Sequence, residues 1–297
     1  MKQSTTNKTE YILRSLNKIR HKKWELFIIS KIVHSIDHDI EFVTQQLVRR
    51  PDGSRAQTDL YFPQLRLHLE IDEPFHDTQL ENDFKREQDI IAVTEHSIQR
   101  IKVLDPNGEE KRLEDISQEV DVLVELTHSL KRQLVEKGSF VPWDFESRYS
   151  SKPVIERGFI SVADNVTFRT QVEAMRCFGF KGNGWQRGAW RIPDGTSTLV
   201  WFPRLYEHGI WQNELSPDGE RIYERALKGS EEALKSIAKQ KYDEHLEPKV
   251  NIVFAKAKDS LGFNLLRYVG TFKMNLDAST EEEIVFNKIR SEEPVRQ

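Results

Sequence analysis

The chain has 297 residues, with 44 Lys and Arg against 48 Asp and Glu and a formal net charge of -4 at pH 7, a length typical of two ordinary folded domains. Its 37% hydrophobic and 31% charged residues exclude a disordered chain, and its short apolar runs exclude a membrane-spanning one, so we expect no membrane partner. Because Cys177 is the only cysteine and the N-terminus lacks the apolar core of a signal peptide, we expect a cytoplasmic protein without disulfides.

The first half of the chain has the spacing of an α/β unit. Apolar residues at helical spacing predict two helices within 9–36, and the runs EFVTQQLV, TDLYF and LRLHLEID then predict three strands. The third run alternates, which indicates a half-buried strand with His68, Glu70 and Asp72 on its polar face. Helical spacing over 79–94, a strand at 98–103 and a helix over 112–136 complete the unit.

Glycine, serine and two prolines interrupt the helical pattern after this unit. We therefore expect a first domain over 1–138, a linker over 139–153 and a second domain over 154–297. The second domain shows short strand-like runs punctuated by Gly, Pro and Asn, and one helix near 219–238. This pattern predicts a mostly β domain with a curled sheet or a barrel.

Three carboxylates fall on two neighbouring predicted strands. Asp59 lies on the first strand, and Glu70 and Asp72 lie on one face of the next. If the two strands form a hairpin, the carboxylates converge, and a set of oxygen ligands suits Mg²⁺ or Mn²⁺. Such an ion activates water and stabilises charge on a phosphate. A solvated strand face with surface acids explains the same pattern.

The segment from Asp59 to Asp89 resembles the PD-(D/E)xK nuclease superfamily, and in particular its Vsr-like branch. The positions that match its acids, its histidine and its helical D-x-x-R pair are Asp59, Glu70, Asp72, His76, Asp83 and Arg86. The resemblance implies that Asp59 and Glu70 hold Mg²⁺ with help from Asp72.

The segment departs from the superfamily at Asp72, which replaces the usual lysine. The general base is therefore open between His76 and Lys85. Glu25 matches the place where Vsr-like folds carry an auxiliary acid, although an exposed helical glutamate is the simpler interpretation.

Aromatic and basic residues are interleaved in the glycine-rich segment GFKGNGWQRGAWRIPDG, residues 179–195. Positive charge, planar side chains and tight turns suit a loop that contacts DNA. The candidate DNA-binding residues are Lys181, Trp185, Gln186, Arg187 and Arg191. A hairpin with core tryptophans is the alternative.

The segment 201–219 combines aromatic and amide side chains, with Trp201, Tyr206, Trp211 and Asn213 as candidate base-binding residues. A base flipped out of a duplex needs aromatic faces for stacking and polar groups for its edges. This half resembles an SRA-like (PUA-related) domain, the fold that flips modified cytosines. The resemblance implies that Trp211 and Asn213 match a Trp-x-Asn pair that contacts the base.

Together the two halves resemble the hydroxymethylcytosine-dependent type IV restriction endonucleases over essentially the whole chain, including NKTEYILRSLNKIRHKKWELFIIS and EFVTQQLVRRPDGSRA. The resemblance implies a Mg²⁺-dependent endodeoxyribonuclease, with Mn²⁺ as a substitute and no small-molecule cofactor. Such an enzyme recognises 5-hydroxymethylcytosine, often also its glucosylated form, in double-stranded DNA. It cuts both strands at a distance as a homodimer and restricts phage DNA. A DNA-repair nickase and a non-catalytic reader of modified nucleic acid are the alternatives.

Overall fold

A computed structural model describes residues 7–50, 52–73, 90–93 and 95–296. By its internal contacts the chain divides into two compact units, Met1–Glu146 with Asp259–Gly262, and Ser147–Lys258 with Phe263–Gln297. Within the described ranges, each helix is too short or too polar to cross a bilayer.

The described part of the first unit contains three α-helices and five strands. In chain order they are α1 Lys8–Lys18, α2 Lys23–Ser35, β1 Val43–Arg49, β2 Arg55–Phe62, β3 Leu67–Asp72, β4 Ile90–Ala92, β5 Ser97–Lys102 and α3 Leu113–Glu136. Asn7 caps α1 by accepting a hydrogen bond from the Glu10 amide at 2.8 Å, as expected for an N-cap asparagine.

The five strands form one mixed sheet in the order β4-β1-β2-β3-β5. The β1–β2 and β2–β3 pairs are antiparallel, whereas β4 runs parallel to β1 and β5 runs parallel to β3. Helix α2 packs against α3, and both helices carry fully buried isoleucines, such as Ile28 and Ile116. The first unit is therefore an α/β fold, and its β2–β3 hairpin confirms the predicted pairing.

The predicted helix over 79–94 is wrong at its C-terminal end. Residues 74–89 lie outside the described residues, but Ile90–Ala92 forms strand β4. In β4, Ile91 is buried beside Val48 and Tyr61, so pairing with β1 overrides the local spacing.

The second unit is rich in strands. Its elements are α4 Lys152–Arg157, β6 Phe159–Ser161, β7 Thr167–Phe168, α5 Gln171–Arg176, β8 Ala189–Arg191, β9 Thr198–Trp201, β10 Glu207–His208, β11 Trp211–Leu215, β12 Arg221–Ala226, α6 Glu231–Leu246, β13 Val250–Lys258, β14 Asn264–Asn275, β15 Glu283–Arg290 and β16 Glu292–Pro294.

Nine of these strands form one sheet, in the order β10-β11-β12-β15-β14-β13-β9-β8, with β7 paired to β14 outside this path. Both faces of the sheet are apolar, because Ile252 and Phe254 of β13 pack into one core cluster and Val253 packs into another. The second cluster, which we call the α6 cluster, contains Ile222, Ile237, Val253, Val269, Phe272, Ile284 and Phe286. The second unit is thus mostly β, as predicted.

The predicted helix near 219–238 is placed too early. Residues Arg221–Ala226 form strand β12, and helix α6 spans Glu231–Leu246. Ser230 sets this start, because its side chain accepts a hydrogen bond from the Ala233 amide at 3.3 Å.

Two aromatic side chains of the segment 139–153 are buried. Trp143 and Phe145 pack against the ring of Tyr11, with centroids 5.8 and 5.4 Å away. The two units divide between Glu146 and Ser147.

Candidate functional site

The first candidate site lies where β1 and β2 face each other at Gln45 and Asp59. The antiparallel ladder is paired on both sides of this position but not at it. Gln45 has a φ of 57°, a left-handed conformation that is unfavourable for a residue with a Cβ atom. Strain of this kind persists where surrounding contacts fix the side chain.

The contacts of the Gln45 side chain join two buried carboxylates. Its Nε2 donates to Glu25 Oε2 at 2.7 Å and to Asp59 Oδ1 at 3.1 Å. Its Oε1 accepts from Lys22 Nζ at 3.1 Å. The other oxygen of Asp59 accepts from the amide of Ile71 at 2.6 Å, so this carboxylate also lies against strand β3.

Glu25 is fully buried, so its interpretation as an exposed helical glutamate is wrong. It lies one turn before Ile28 and Ile29, on the buried side of α2. Burial and the negative charge of Asp59 raise the pKa of Glu25 to about 8, against the opposing effect of Lys22, whose Nζ is 2.7 Å from Glu25 Oε1. Without a bound cation, this carboxyl group therefore favours its neutral form more than an exposed glutamate does.

Glu70 and Asp72 lie on β3 and face arginines. Glu70 Oε1 is 3.3 Å from an Arg50 nitrogen, and Glu70 Oε2 forms an ion pair with Arg100. Arg100 also approaches Asp72 Oδ1 at 3.5 Å. Because Asp59 contacts the backbone between these two residues, the structure brings all three predicted acids to one stretch of β3.

His68 was expected on the polar face of β3, but it is fully buried. Its ring stacks on Tyr61 at 4.2 Å, and its Nε2 is 2.8 Å from His96 Nδ1. Burial lowers the pKa of His68 to about 3. It is therefore a neutral part of the core. The remaining predicted residues of this site, His76, Asp83, Lys85 and Arg86, lie outside the described residues.

The second candidate site lies on β11 and β12. Trp211 and Asn213 are two residues apart on β11, so they share one face of the sheet. Their cross-strand partners on β12 are Ala226 and Glu224. Trp211 packs against the α6 cluster, and Asn213 is only 5% exposed.

Asn213 and Glu224 leave buried oxygens without partners. Asn213 Oδ1 and Glu224 Oε2 have no hydrogen bond with any described residue, although a buried acceptor normally has one. Burial raises the pKa of Glu224 to about 7, and a hydrogen bond from Gln240 of α6 partly offsets this rise. Near neutral pH the Glu224 carboxyl group therefore exists in both its neutral and its charged form, and the neutral form donates as well as accepts.

The other predicted base-binding residues, Trp201 and Tyr206, are half-buried. Trp201 packs on the α6 cluster, with its ring 5.0 Å from that of Phe286. Tyr206 lies in the segment after β9, 5.8 Å from the ring of His208. Trp201 and Trp211 thus both pack against the α6 cluster, on the face of the sheet that carries Asn213.

The predicted DNA-binding segment is divided between core and surface. Trp185 and Trp190 both pack on Phe180, at 5.8 and 5.3 Å, and both border the core. Lys181, Gln186 and Arg187 are exposed. Arg191 forms two hydrogen bonds with the Glu247 carboxylate, at 2.8 and 2.6 Å.

Sequence reasoning missed Gln45 and Glu224. Glu224 occupies the inward-facing position between Ile222 and Ala226 of an alternating strand, a signal that the misplaced helix concealed. Gln45 has no comparable signal, because its role depends on a backbone conformation that glutamine does not favour.

Comparison with known proteins agrees with this two-part organisation. Residues 9–128 match the family described as restriction endonuclease PvuRts1 I-like, N-terminal, and residues 153–295 match the SET and RING associated (SRA) domain. The chain is similar to the solved structure titled "The 5-Hydroxymethylcytosine-Specific Restriction Enzyme AbaSI", with 34% identity, a TM-score of 0.85, and coverage of 97% of this chain and 98% of that one. No curated protein sequence matches the chain.

Proposed function

From the fact that the chain belongs to the PvuRts1 I-like restriction endonucleases with an SRA domain, we propose that it cleaves double-stranded DNA that contains 5-hydroxymethylcytosine. The observation that carries the choice of substrate is the pair of buried, unpartnered oxygens on Asn213 and Glu224 beside two tryptophans. A polar ligand supplies the missing hydrogen bonds, and an apolar one does not.

The pocket that we propose accepts a base flipped out of the duplex. Trp201, Trp211 and Tyr206 supply faces for stacking, each worth about 1 to 3 kcal/mol per base. Asn213 recognises the hydroxyl of the modified base. Glu224 recognises the polar edge of the cytosine ring, since a carboxyl group accepts a hydrogen bond from its exocyclic amine.

A hard divalent cation, Mg²⁺ or Mn²⁺, fits the first site by the chemistry of its donors. All the candidate donor atoms are carboxylate oxygens, which suit such an ion. Two of these carboxylates lie close together, since the charge of Asp59 raises the pKa of Glu25. We propose that Asp59 and Glu70 hold the ion with help from Asp72 and Glu25. When bound, the ion activates water and stabilises negative charge on the phosphate. Among the described residues, however, no three His, Cys, Asp or Glu side chains are already grouped around one point.

The arginine contacts of Glu70 and Asp72 favour a second candidate function, a reader of modified DNA that does not cleave. Arg50 and Arg100 neutralise the carboxylates that a cation would otherwise neutralise. In a nuclease these ion pairs must open when the metal binds. Metal-dependent cleavage distinguishes the two functions.

The test uses four duplexes that differ only in one base: cytosine, 5-methylcytosine, 5-hydroxymethylcytosine or its glucoside. Each is incubated with the protein in the presence of Mg²⁺ or EDTA. We expect cleavage only of the hydroxymethylated and glucosylated duplexes, only with the metal, and in both strands at a distance from the modified base. Equal cleavage of all four overturns the proposal. Selective binding without cleavage supports the reader, and cleavage of one strand supports the nickase.

A further inference from the structure

A row of positive charge lies at one end of the large sheet, on Arg204, Lys256 and Lys258. Two backbone hydrogen bonds hold the segments together there. The Lys256 amide donates to Pro203 O at 2.7 Å, and the Phe202 amide donates to Gly188 O at 2.8 Å. Arg204 and Lys258 are exposed and Lys256 is half-buried. The segment after β9 and the end of β13 thus present these three cations at the same end of the sheet.

These three cations are not neutralised within the described part of the chain. None of them forms an ion pair there, whereas Arg191 and Arg225 of the same unit pair with Glu247 and Glu283. Burial is the main cause that lowers the pKa of Lys256, and the positive charges of Arg204 and Lys258 lower it further. Like charges so close repel one another, and an anion that binds between them relieves the repulsion.

The row is close in the chain to the base pocket proposed above. Arg204 lies between Trp201 and Tyr206. Lys256 follows Val253, which pairs with Trp201, but it lies on the opposite face of β13. A nucleotide stacked on these aromatic rings carries its own phosphate and those of its neighbours. Phosphates are the groups through which a protein fixes its position on a duplex.

We propose that Arg204, Lys256 and Lys258 bind phosphates of the duplex that lie outside the base pocket. This inference rests on the proposed function. On this proposal the three residues increase the affinity for DNA but do not distinguish one base from another. Each phosphate contact releases condensed counterions, so each contributes about 0.9 to the slope of log affinity against log salt.

The experiment measures binding of the full chain to the hydroxymethylated and unmodified duplexes between 50 and 200 mM NaCl. The variant carries R204Q, K256Q and K258Q together. The matched control carries K152Q, K235Q and K239Q, which change the net charge equally but replace exposed lysines that already pair with a carboxylate one helical turn away. Circular dichroism verifies that both variants fold.

We expect the first variant to lose about 2 to 3 from the salt slope, to bind more weakly at 50 mM, and to keep the wild-type preference for the modified duplex. The control should keep the wild-type slope. An unchanged slope in the first variant, or an equal loss in the control, overturns the inference while leaving the proposed function intact. If the wild-type protein shows no preference for the modified duplex, the proposed function itself fails.

Discussion

Two buried residues of the second unit destabilise the folded chain, because each lacks a hydrogen bond that the chain itself does not supply. Asn213 and Glu224 face each other across β11 and β12, and each leaves an oxygen without a partner among the described residues. A buried acceptor without a hydrogen bond costs about 1 to 3 kcal/mol. Groups of this kind persist where a ligand completes them, and this is the reason for assigning the hydroxyl of the modified base to this face.

The first prediction concerns Asn213. A hydroxymethyl group differs from a methyl group by one hydroxyl, and a site built to hydrogen-bond that hydroxyl rejects the analogue without it. We expect Asn213→Ala to narrow the preference for 5-hydroxymethylcytosine over 5-methylcytosine by about 1 to 3 kcal/mol. Competition binding with the two duplexes measures the ratio. Asn107→Ala, in an exposed turn of the first unit, is the control. An unchanged ratio in Asn213→Ala assigns the hydroxyl contact to another residue.

The second prediction concerns the charge of Glu224. Burial raises its pKa to about 7 from an ordinary value of 4.5. Between these values the folded protein holds a proton that the unfolded chain has released, so this group makes the protein less stable as pH rises through that window. The loss is about 3 kcal/mol, since one pKa unit corresponds to about 1.4 kcal/mol.

Glu224→Gln removes this titration. The free energy of unfolding of the variant, measured in urea and taken relative to that of wild type, should therefore be higher at pH 8 than at pH 5. Glu232→Gln, on an exposed position of α6, should show no such gain. A constant difference between Glu224→Gln and wild type across this range contradicts the prediction.

The third prediction tests Gln45 as a positioning residue for Glu25 and Asp59. Gln45→Met keeps the length of the side chain but removes the amide that donates to both carboxylates. We expect cleavage to fall about 10- to 100-fold, as when other residues that orient metal ligands are replaced. The affinity for modified DNA should not change.

Gln118→Met, on the exposed side of α3, is the control for this substitution. Metal titration by calorimetry supplies a second measurement, and we expect Gln45→Met to weaken binding of Mn²⁺ in the absence of DNA. Wild-type metal affinity together with wild-type cleavage in Gln45→Met would falsify the positioning role.

At the scale of elements, the sequence predicts best where one periodicity extends over a long segment. Helices α2 and α3 and strand β3 follow from their apolar spacing, and β5 agrees with the strand predicted at 98–103. Strand β4 could not be predicted in this way, because it has only three residues and depends on pairing with β1. Strand β12 was concealed for a different reason, since RIYERA suits a helix as well as a strand.

The same limit applies to the candidate sites. The acids of β2 and β3 could be found because a hairpin brings together residues that are close in the chain. Local spacing could not assign Glu25 to them, since its burial depends on how α2 packs, and 33 residues separate it from Asp59 in the chain. Glu224 could be predicted as a site residue only if β12 had first been recognised as a strand.

The fourth prediction concerns helix α6, which packs over the sheet that carries Asn213. Ile237 is fully buried in the α6 cluster, so Ile237→Ala should destabilise the second unit by about 2 to 5 kcal/mol. Leu246→Ala is a matched control on the same helix, because Leu246 is 68% exposed and should change stability by less than about 0.5 kcal/mol. Urea unfolding followed by tryptophan fluorescence measures both. Equal effects would contradict the packing of α6.

At the scale of the whole molecule, the two candidate sites lie in separate compact units. One set of carboxylates hydrolyses one phosphodiester at a time, so a double-strand break requires two such sets. We therefore propose that the active species is a homodimer whose subunits each cut one strand. On this proposal, loss of one carboxylate site should leave both binding of modified DNA and assembly of the dimer intact.

The fifth prediction follows from this division of labour. Asp59→Ala should abolish cleavage yet bind the hydroxymethylated duplex with wild-type affinity, because Asp59 belongs to the first unit and Asn213 to the second. When a tenfold excess of this variant is mixed with wild type, most active dimers contain one competent subunit. A plasmid with two modified cytosines on opposite strands should then accumulate as nicked circles instead of linear molecules.

Asp52→Ala, which replaces an exposed turn residue, should leave the linear product unchanged in the same mixture. Linear product that falls only in proportion to the dilution of wild type, without nicked circles, would show that one chain makes both cuts.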